Sequence, residues 1–95
     1  PALAFALSNA APNPFNPATT LRFTLPAASH VQLRLYNVQG RLVRTLERDQ
    51  LFSAGHHEMS WNATDDQGCT VSSGLYFARL ISGGQVEMRK LILVK

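Results

Sequence analysis

Asn13-Pro14-Phe15-Asn16-Pro17, followed by Thr19-Thr20-Leu21-Arg22-Phe23-Thr24-Leu25, is the stretch of sequence that decides the fold. Each proline fixes its own φ and biases the asparagine before it away from helical backbone, so the first segment predicts a rigid corner. In the second segment apolar and polar residues alternate, which is the pattern of a strand with one buried face. Phe15 is expected to plug one end of the core, where its truncation would cost about 3–5 kcal/mol.

The alternation with period two recurs along the chain and is interrupted by short turns. Gly40 and Gly68 close two of these turns, because glycine adopts positive φ without strain, and Gly74 precedes a late strand. We predict seven strands, at residues 5–8, 19–25, 31–36, 42–46, 56–61, 75–82 and 86–94. This pattern predicts an all-β, seven-stranded immunoglobulin-like β-sandwich, and Trp61 on an inward register and Tyr76 at a tyrosine-corner position agree with it.

Length and composition limit the classes of function. The 95 residues predict a single domain, with 1–12 as linker and first strand and 13–95 as the core sandwich. The chain begins without Met, so we expect it to be a piece of a longer polypeptide.

A net charge of +3 is too small for a typical nucleic-acid binder. One cysteine excludes an internal disulfide, and no apolar run reaches the ~20 residues of a membrane-spanning helix.

The residues that could carry chemistry do not form a recognisable site. His56 and His57 are neighbours in a predicted strand, so their side chains point to opposite faces and cannot share a metal ion. Asp65 and Asp66 lie in a turn without the further oxygen ligands that a calcium loop needs. Cys69 has no orienting partner or strand-to-helix elbow that would make it a nucleophile. We therefore expect no enzymatic activity, no cofactor and no metal.

The last predicted strand breaks the alternation, because Leu91-Ile92-Leu93-Val94 is apolar on both faces. Two interpretations stay open. Either a bulge or the N-terminal strand hides the second face, or that face contacts another domain or a secretion receptor. Elsewhere, Arg41, Arg44 and Arg48 indicate a solvated edge because acidic residues lie among them, and a weak patch for anionic surface glycans is the alternative.

Seven pieces of the sequence carry a resemblance to a known family through their order and spacing. They are Leu7-Ser8-Asn9, Pro12-Asn13-Pro14-Phe15-Asn16-Pro17, Leu33-Arg34-Leu35-Tyr36-Asn37-Val38-Gln39-Gly40-Arg41-Leu42-Val43, Ala54-Gly55-His56-His57-Glu58-Met59-Ser60-Trp61, Asp65-Asp66-Gln67-Gly68, Ser73-Gly74-Leu75-Tyr76-Phe77-Ala78-Arg79-Leu80 and Arg89-Lys90-Leu91-Ile92-Leu93-Val94-Lys95. Together they resemble the immunoglobulin-like C-terminal modules related to the flagellar hook-capping protein, which overlap with the type A sorting domains of type IX secretion cargo. Cys69 and Met59 depart from this pattern, which bears on packing rather than on role.

The resemblance implies a non-catalytic sorting or anchoring module that directs a secreted cargo across the outer membrane of a Gram-negative-type bacterium to the cell surface. The implied partners are an upstream domain of the same polypeptide and the outer-membrane secretion machinery. In this family the sorting information lies in the last strand, so the candidate recognition segment is Arg89, Lys90, Leu91, Ile92, Leu93, Val94 and Lys95. Its deletion is expected to abolish export. Two alternatives stay open: a retained structural spacer, and a carbohydrate- or cell-wall-binding module.

Overall fold

Two antiparallel β-sheets form the domain in a computed structural model that describes residues 3–95. The strands are β1 Ala6–Leu7, β2 Thr19–Leu25, β3 Ser29–Asn37, β4 Leu42–Phe52, β5 Gly55–Trp61, β6 Gly74–Ser82 and β7 Gln85–Leu93. One sheet has three strands in the order β1-β2-β5, and the other has four in the order β4-β3-β6-β7. The described part of the chain contains no helix, and the seven-stranded immunoglobulin-like sandwich is confirmed.

The core lies between the two sheets and is supplied by alternate residues of the strands. In β2 and β3 every second side chain is buried, as the period of a half-buried strand requires. The largest fully buried apolar side chains are Leu7, Leu21, Phe23, Leu25, Val31, Leu33, Leu35, Trp61, Leu80, Leu91 and Leu93. Burial of this apolar surface is the main favourable term in folding.

The two predicted glycine turns are built by side chains that accept backbone hydrogen bonds. Between β3 and β4, Asn37 Oδ1 accepts from the backbone N–H groups of Gln39 and Arg41, and Gly40 has a φ of +81°. In the loop after β5, Asp65 Oδ1 accepts from two backbone N–H groups, at Gln67 and Cys69. Asn and Asp favour turns because their side-chain oxygens can accept hydrogen bonds from the backbone N–H groups of the turn in this way.

The segment before β2 crosses from one sheet to the other. Leu7 pairs with Phe23 of β2, and Ala11 bridges to Thr20 of the same strand. Phe15 instead forms a parallel bridge with Leu93, so the chain has moved to the edge of the four-stranded sheet. The Asn-Pro corner (residues 13–17) is the connection that makes this change of sheet, after which the chain returns to begin β2.

The largest difference from the predicted strands is the length of β4. The prediction ended this strand at residue 46, whereas it continues to Phe52. The pairing of β3 with β4 contains three register shifts, and these bulges interrupt the alternation on which the prediction depended. The charged residues 47–49, which indicated a solvated edge, belong to this strand, and β4 lies at one edge of its sheet. The other six strands differ from their predicted bounds by no more than two residues at either end.

Candidate functional site: the terminal strand and the outer face of its sheet

The predicted recognition segment consists of the last five residues of β7 and the two residues that follow it, and its side chains fall into three groups. Leu91 and Leu93 are buried in the core. Ile92 is half-buried on the opposite face, and Arg89 is half-buried with its Nη2 atom 3.1 Å from Glu87 Oε1. The exposed side chains are Lys90, Val94 and Lys95. Unless the sheet unfolds, a partner can therefore contact only the exposed and half-buried side chains of this segment.

The Asn-Pro corner holds the free edge of β7 through four hydrogen bonds. Asn13 Nδ2 donates to Lys90 O at 2.9 Å, and Asn13 Oδ1 accepts from Ile92 N–H at 2.8 Å. Phe15 continues the pairing, since its N–H donates to Ile92 O at 2.9 Å and its carbonyl accepts from Val94 N–H at 3.0 Å. The β6–β7 register is continuous and has no bulge. The corner therefore covers the edge of the last strand, while its outer face stays open.

Aromatic side chains plug the sandwich beneath this edge. The Phe15 and Trp61 ring centroids lie 5.7 Å apart, and the Trp61 and Tyr76 centroids lie 5.3 Å apart in an edge-on arrangement. Trp61 Nε1 donates to Thr64 O at 2.8 Å, so its one polar group is satisfied. Tyr76 Oη donates to Ser72 O at 2.6 Å, the bond expected of a tyrosine corner. Because Trp61 is only 1% exposed, it offers no ring to a sugar.

The glycines of the predicted structural motif all have positive φ. Gly40 and Gly68 have φ values of +81° and +85° in their turns, and Gly74 has a φ of +149° at the start of β6. A Cβ built at any of the three would meet no atom within 4 Å. Backbone conformation rather than lack of space is therefore the reason for glycine at these positions.

Asp66 and Arg44 hold the loop after β5 on β4. Asp66 Oδ1 accepts from the backbone N–H of Thr45 at 2.9 Å. Arg44 reaches the loop from β4, donating to Thr64 Oγ1 and to Asp65 O, each at 3.0 Å. Sequence reasoning missed this role of Arg44, because nothing in the spacing of β4 and the loop brings them together.

The two neighbouring histidines point in different directions. His57 packs between Phe23 and Phe52, with ring centroids 5.3 Å and 4.9 Å away, and its Nε2 atom lies 2.8 Å from Ser53 O. His56 is exposed on the other face. Within residues 3–95 no three side chains of His, Cys, Asp or Glu converge as metal ligands would.

A groove of about 540 Å³ lies beside β1. Its lining includes Arg22 and Glu58, which form an ion pair with each other at 3.1 Å.

The outer face of the four-stranded sheet carries two arginines among apolar side chains. Arg34 of β3 and Arg79 of β6 are direct cross-strand partners, and both are half-buried. The Nε atom of each is buried and has no hydrogen-bond partner within the described residues. Arg79 Nη2 donates to Tyr36 Oη at 2.6 Å, and its guanidinium carbon lies 4.8 Å from the Tyr36 ring centroid. Sequence reasoning did not single out these arginines, because they occupy the polar positions of ordinary alternating strands.

Comparison with known proteins gives one matching family, and the similar solved structures include three bacterial proteins. The sequence model of the FlgD Ig-like domain family matches residues 8–82. The dimeric latent PorU of Porphyromonas gingivalis is 21% identical over 97% of this chain, with a TM-score of 0.74. PorZ, described as an essential bacterial surface component of the type IX secretion system of P. gingivalis, is 20% identical over 96% of this chain, with a TM-score of 0.61.

FlgD from P. aeruginosa is the third neighbour, 20% identical over 79% of this chain with a TM-score of 0.57. The chain spans 10% and 11% of the PorU and PorZ chains and 60% of the FlgD chain. No curated protein matches it. Within residues 3–95 no helix is long and apolar enough to cross a membrane.

Proposed function

The chain belongs to the family of FlgD Ig-like domains, and from that premise we propose that it is a non-catalytic C-terminal sorting module. In this role it directs a cargo protein, joined to it upstream, across the outer membrane to the cell surface of a Gram-negative-type bacterium. The likeness to a domain of PorZ, a surface component of the type IX secretion system, is the observation that carries the proposal. The likenesses to PorU and PorZ leave out only 3% and 4% of the chain, so they extend into β7, beyond the end of the family match at residue 82.

The placement of the terminal segment determines how the proposal is tested. Deleting residues 89–95 would remove Leu91 and Leu93 from the core, and the loss of one buried leucine already costs about 2–5 kcal/mol. A failure of export would then report unfolding as readily as lost recognition. Alanine substitutions at the exposed side chains Lys90, Val94 and Lys95 leave the core intact and test recognition alone.

The experiment compares the triple variant Lys90→Ala/Val94→Ala/Lys95→Ala with a control in the full-length protein. The matched control removes two cations and one exposed apolar side chain around β4, as Arg41→Ala/Leu51→Ala/Arg48→Ala. We expect both to melt close to the wild-type domain, and only the terminal variant to accumulate in the periplasm with its cargo active. Normal export of the terminal variant, or equal loss with both variants, would contradict the proposal.

A retained structural spacer is the second candidate, and the family match favours it. The family is named for FlgD, and the P. aeruginosa FlgD structure shares the fold over most of this chain. Peptide-mapping mass spectrometry of periplasmic and surface fractions separates the two roles. Peptides of this domain that occur in the periplasm and vanish from the surface form indicate a cleaved sorting signal. Peptides that persist in both fractions, together with normal export of the terminal variant, indicate a retained spacer.

A further inference from the structure

We propose that the outer face of the four-stranded sheet, around Arg34 and Arg79, binds a protein surface that presents a carboxylate among apolar side chains. This Arg34–Arg79 face includes Lys90, which lies opposite Phe77, but it does not include the terminal residue Lys95. It does not depend on whether the domain is cleaved or retained.

The two guanidinium groups are cations without a counter-ion. Arg34 and Arg79 lie directly opposite each other on neighbouring antiparallel strands, a placement that is unfavourable for like charges. No carboxylate of the described residues lies within 4.0 Å of either group. Arg34 donates no side-chain hydrogen bond within residues 3–95, and Arg79 donates to Tyr36 alone. Between them, two half-buried guanidinium groups of this kind form a favourable binding site for one anion that accepts hydrogen bonds from both.

The chain has almost no carboxylate of its own to give to this face. Five of its six acidic residues already bond within the domain. Glu58, Asp66, Glu87 and Asp49 contact basic side chains elsewhere, and Asp65 accepts the backbone bonds of its turn. A second copy of the chain that met this face with the same face would add two more arginines to the pair. The missing anion is therefore expected from a protein surface outside this domain.

Apolar side chains surround the arginine pair on the same face. In the register of β6 with β7, Arg79 lies opposite Met88, Phe77 opposite Lys90 and Ile81 opposite Val86. Met88 and Val86 are 49% and 53% exposed, although they belong to the middle and start of a strand. A shallow cavity of about 280 Å³ opens beside Arg79, and Tyr36, Phe77 and Met88 contribute to its walls.

This composition fits a protein partner better than a lipid or a polyanion. Aromatic residues, Met and Arg are the residue types enriched at the centres of protein–protein interfaces. A surface that binds anionic lipid or nucleic acid depends on many dispersed cations, whereas here two guanidinium groups and the ammonium group of Lys90 lie among apolar side chains. Desolvation by an apolar rim also strengthens a hydrogen-bonded arginine–carboxylate pair relative to the same pair in water.

The test uses a library of random 12-residue peptides displayed on phage, selected on the chain and counter-selected on the Arg79→Gln variant. Enriched peptides are synthesised with their acidic residue intact and with the matching amide in its place. Binding to wild type, Arg79→Gln and Arg79→Lys is measured by titration calorimetry. Arg22→Gln, which removes the same charge from the other sheet, is the control. Folding of each variant is checked by its amide NMR spectrum.

We expect the enriched peptides to place Asp or Glu next to apolar residues and to shift the resonances of Arg34, Tyr36, Phe77 and Met88. Changing the peptide carboxylate to an amide should weaken binding to wild type about tenfold or more, and to Arg79→Gln by less than about twofold. Arg79→Lys should also bind the peptides weakly, because a lysine ammonium group cannot donate the two parallel hydrogen bonds of a planar guanidinium group. Arg22→Gln should bind them with the affinity of wild type.

Three results would overturn the proposal. The first is a selection that yields no peptide whose binding depends on Arg79. The second is enrichment of peptides without an acidic residue, or of peptides whose resonance shifts lie on the other sheet. The third is binding of anionic phospholipid vesicles through Arg34 and Arg79 with no competition from the acidic peptides. That last result would assign the face to a membrane surface instead of a protein.

Discussion

Asn13→Ala should destabilise the domain by releasing the edge of its last strand. The asparagine side chain bridges two backbone groups of β7, donating to Lys90 O at 2.9 Å and accepting from Ile92 N–H at 2.8 Å. An intramolecular hydrogen bond contributes about 0.5–1.5 kcal/mol net, and the Asn13 side chain is open to water. Loss of both bonds should therefore cost about 1–2 kcal/mol, which for a domain of this size lowers the melting temperature by about 5–15 °C.

The structure provides a matched control for this measurement. Asn16, like Asn13, precedes a proline, so both alanine variants change the backbone freedom of the unfolded chain in the same way. The Asn16 side chain makes no hydrogen bond within the described residues. Asn16→Ala should therefore stay within about 0.5 kcal/mol of wild type in urea unfolding. The free energy of unfolding of Asn13→Asp should lie between those of Asn13→Ala and Asn16→Ala. The new carboxylate still accepts a hydrogen bond from Ile92 N–H, but it has no proton to donate to the Lys90 carbonyl.

Hydrogen exchange separates a local effect from a general one. In Asn13→Ala the amide of Ile92 should exchange about 5–30-fold faster than in wild type, in proportion to the lost free energy. The reasoning is refuted if Asn13→Ala and Asn16→Ala are equally stable, or if the stability falls while exchange at Ile92 is unchanged. The second result would place the effect of Asn13 elsewhere than on the edge of β7.

Three further predictions concern the stability of the domain. Tyr76→Phe removes the 2.6 Å bond to Ser72 O and should cost about 1–2 kcal/mol in urea unfolding. Gly68→Ala should cost about 1–2 kcal/mol because φ is +85° although a Cβ has room, and Gly68→Asn should recover part of that loss. Leu91→Ala should lower the free energy of unfolding by about 2–5 kcal/mol, whereas Lys90→Ala beside it should change it by less than about 0.5 kcal/mol.

Alternation of apolar and polar residues was sufficient to locate the strands, since burial on one face imposes a period of two. β2 has the bounds that were predicted for it. Trp61 is buried, as its inward register predicted, and Tyr76 makes the hydrogen bond of a tyrosine corner. The predicted end of β4 was wrong, because register shifts in the pairing of β4 with β3 interrupt the period of two along the strand. Bulges depend on how a strand pairs with its neighbour, and a single strand's sequence does not show its partner.

The candidate site was less predictable than the fold, because it depends on contacts between distant parts of the chain. The prolines of the Asn-Pro corner indicated a turn, but the two bonds from Asn13 to β7 join residues 77 and 79 positions apart. The two apolar faces of the last strand were recognised, and the sequence left open what covered the second one. The corner covers only the edge, while Ile92 and Val94 remain partly open.

The arrangement of the two exposed regions suggests how one small domain can serve two contacts. The Asn-Pro corner fixes the end of β7, so Lys90, Val94 and Lys95 are held on a rigid edge rather than on a loose tail. The Arg34–Arg79 face lies on the broad side of the same sheet, and β6 connects the two regions through its pairing with both β3 and β7. A partner bound at the arginines would leave the end of β7 accessible. Variants at Arg79 and at Lys95 should therefore have independent, additive effects, and a strong interaction between them would mean that one partner covers both regions.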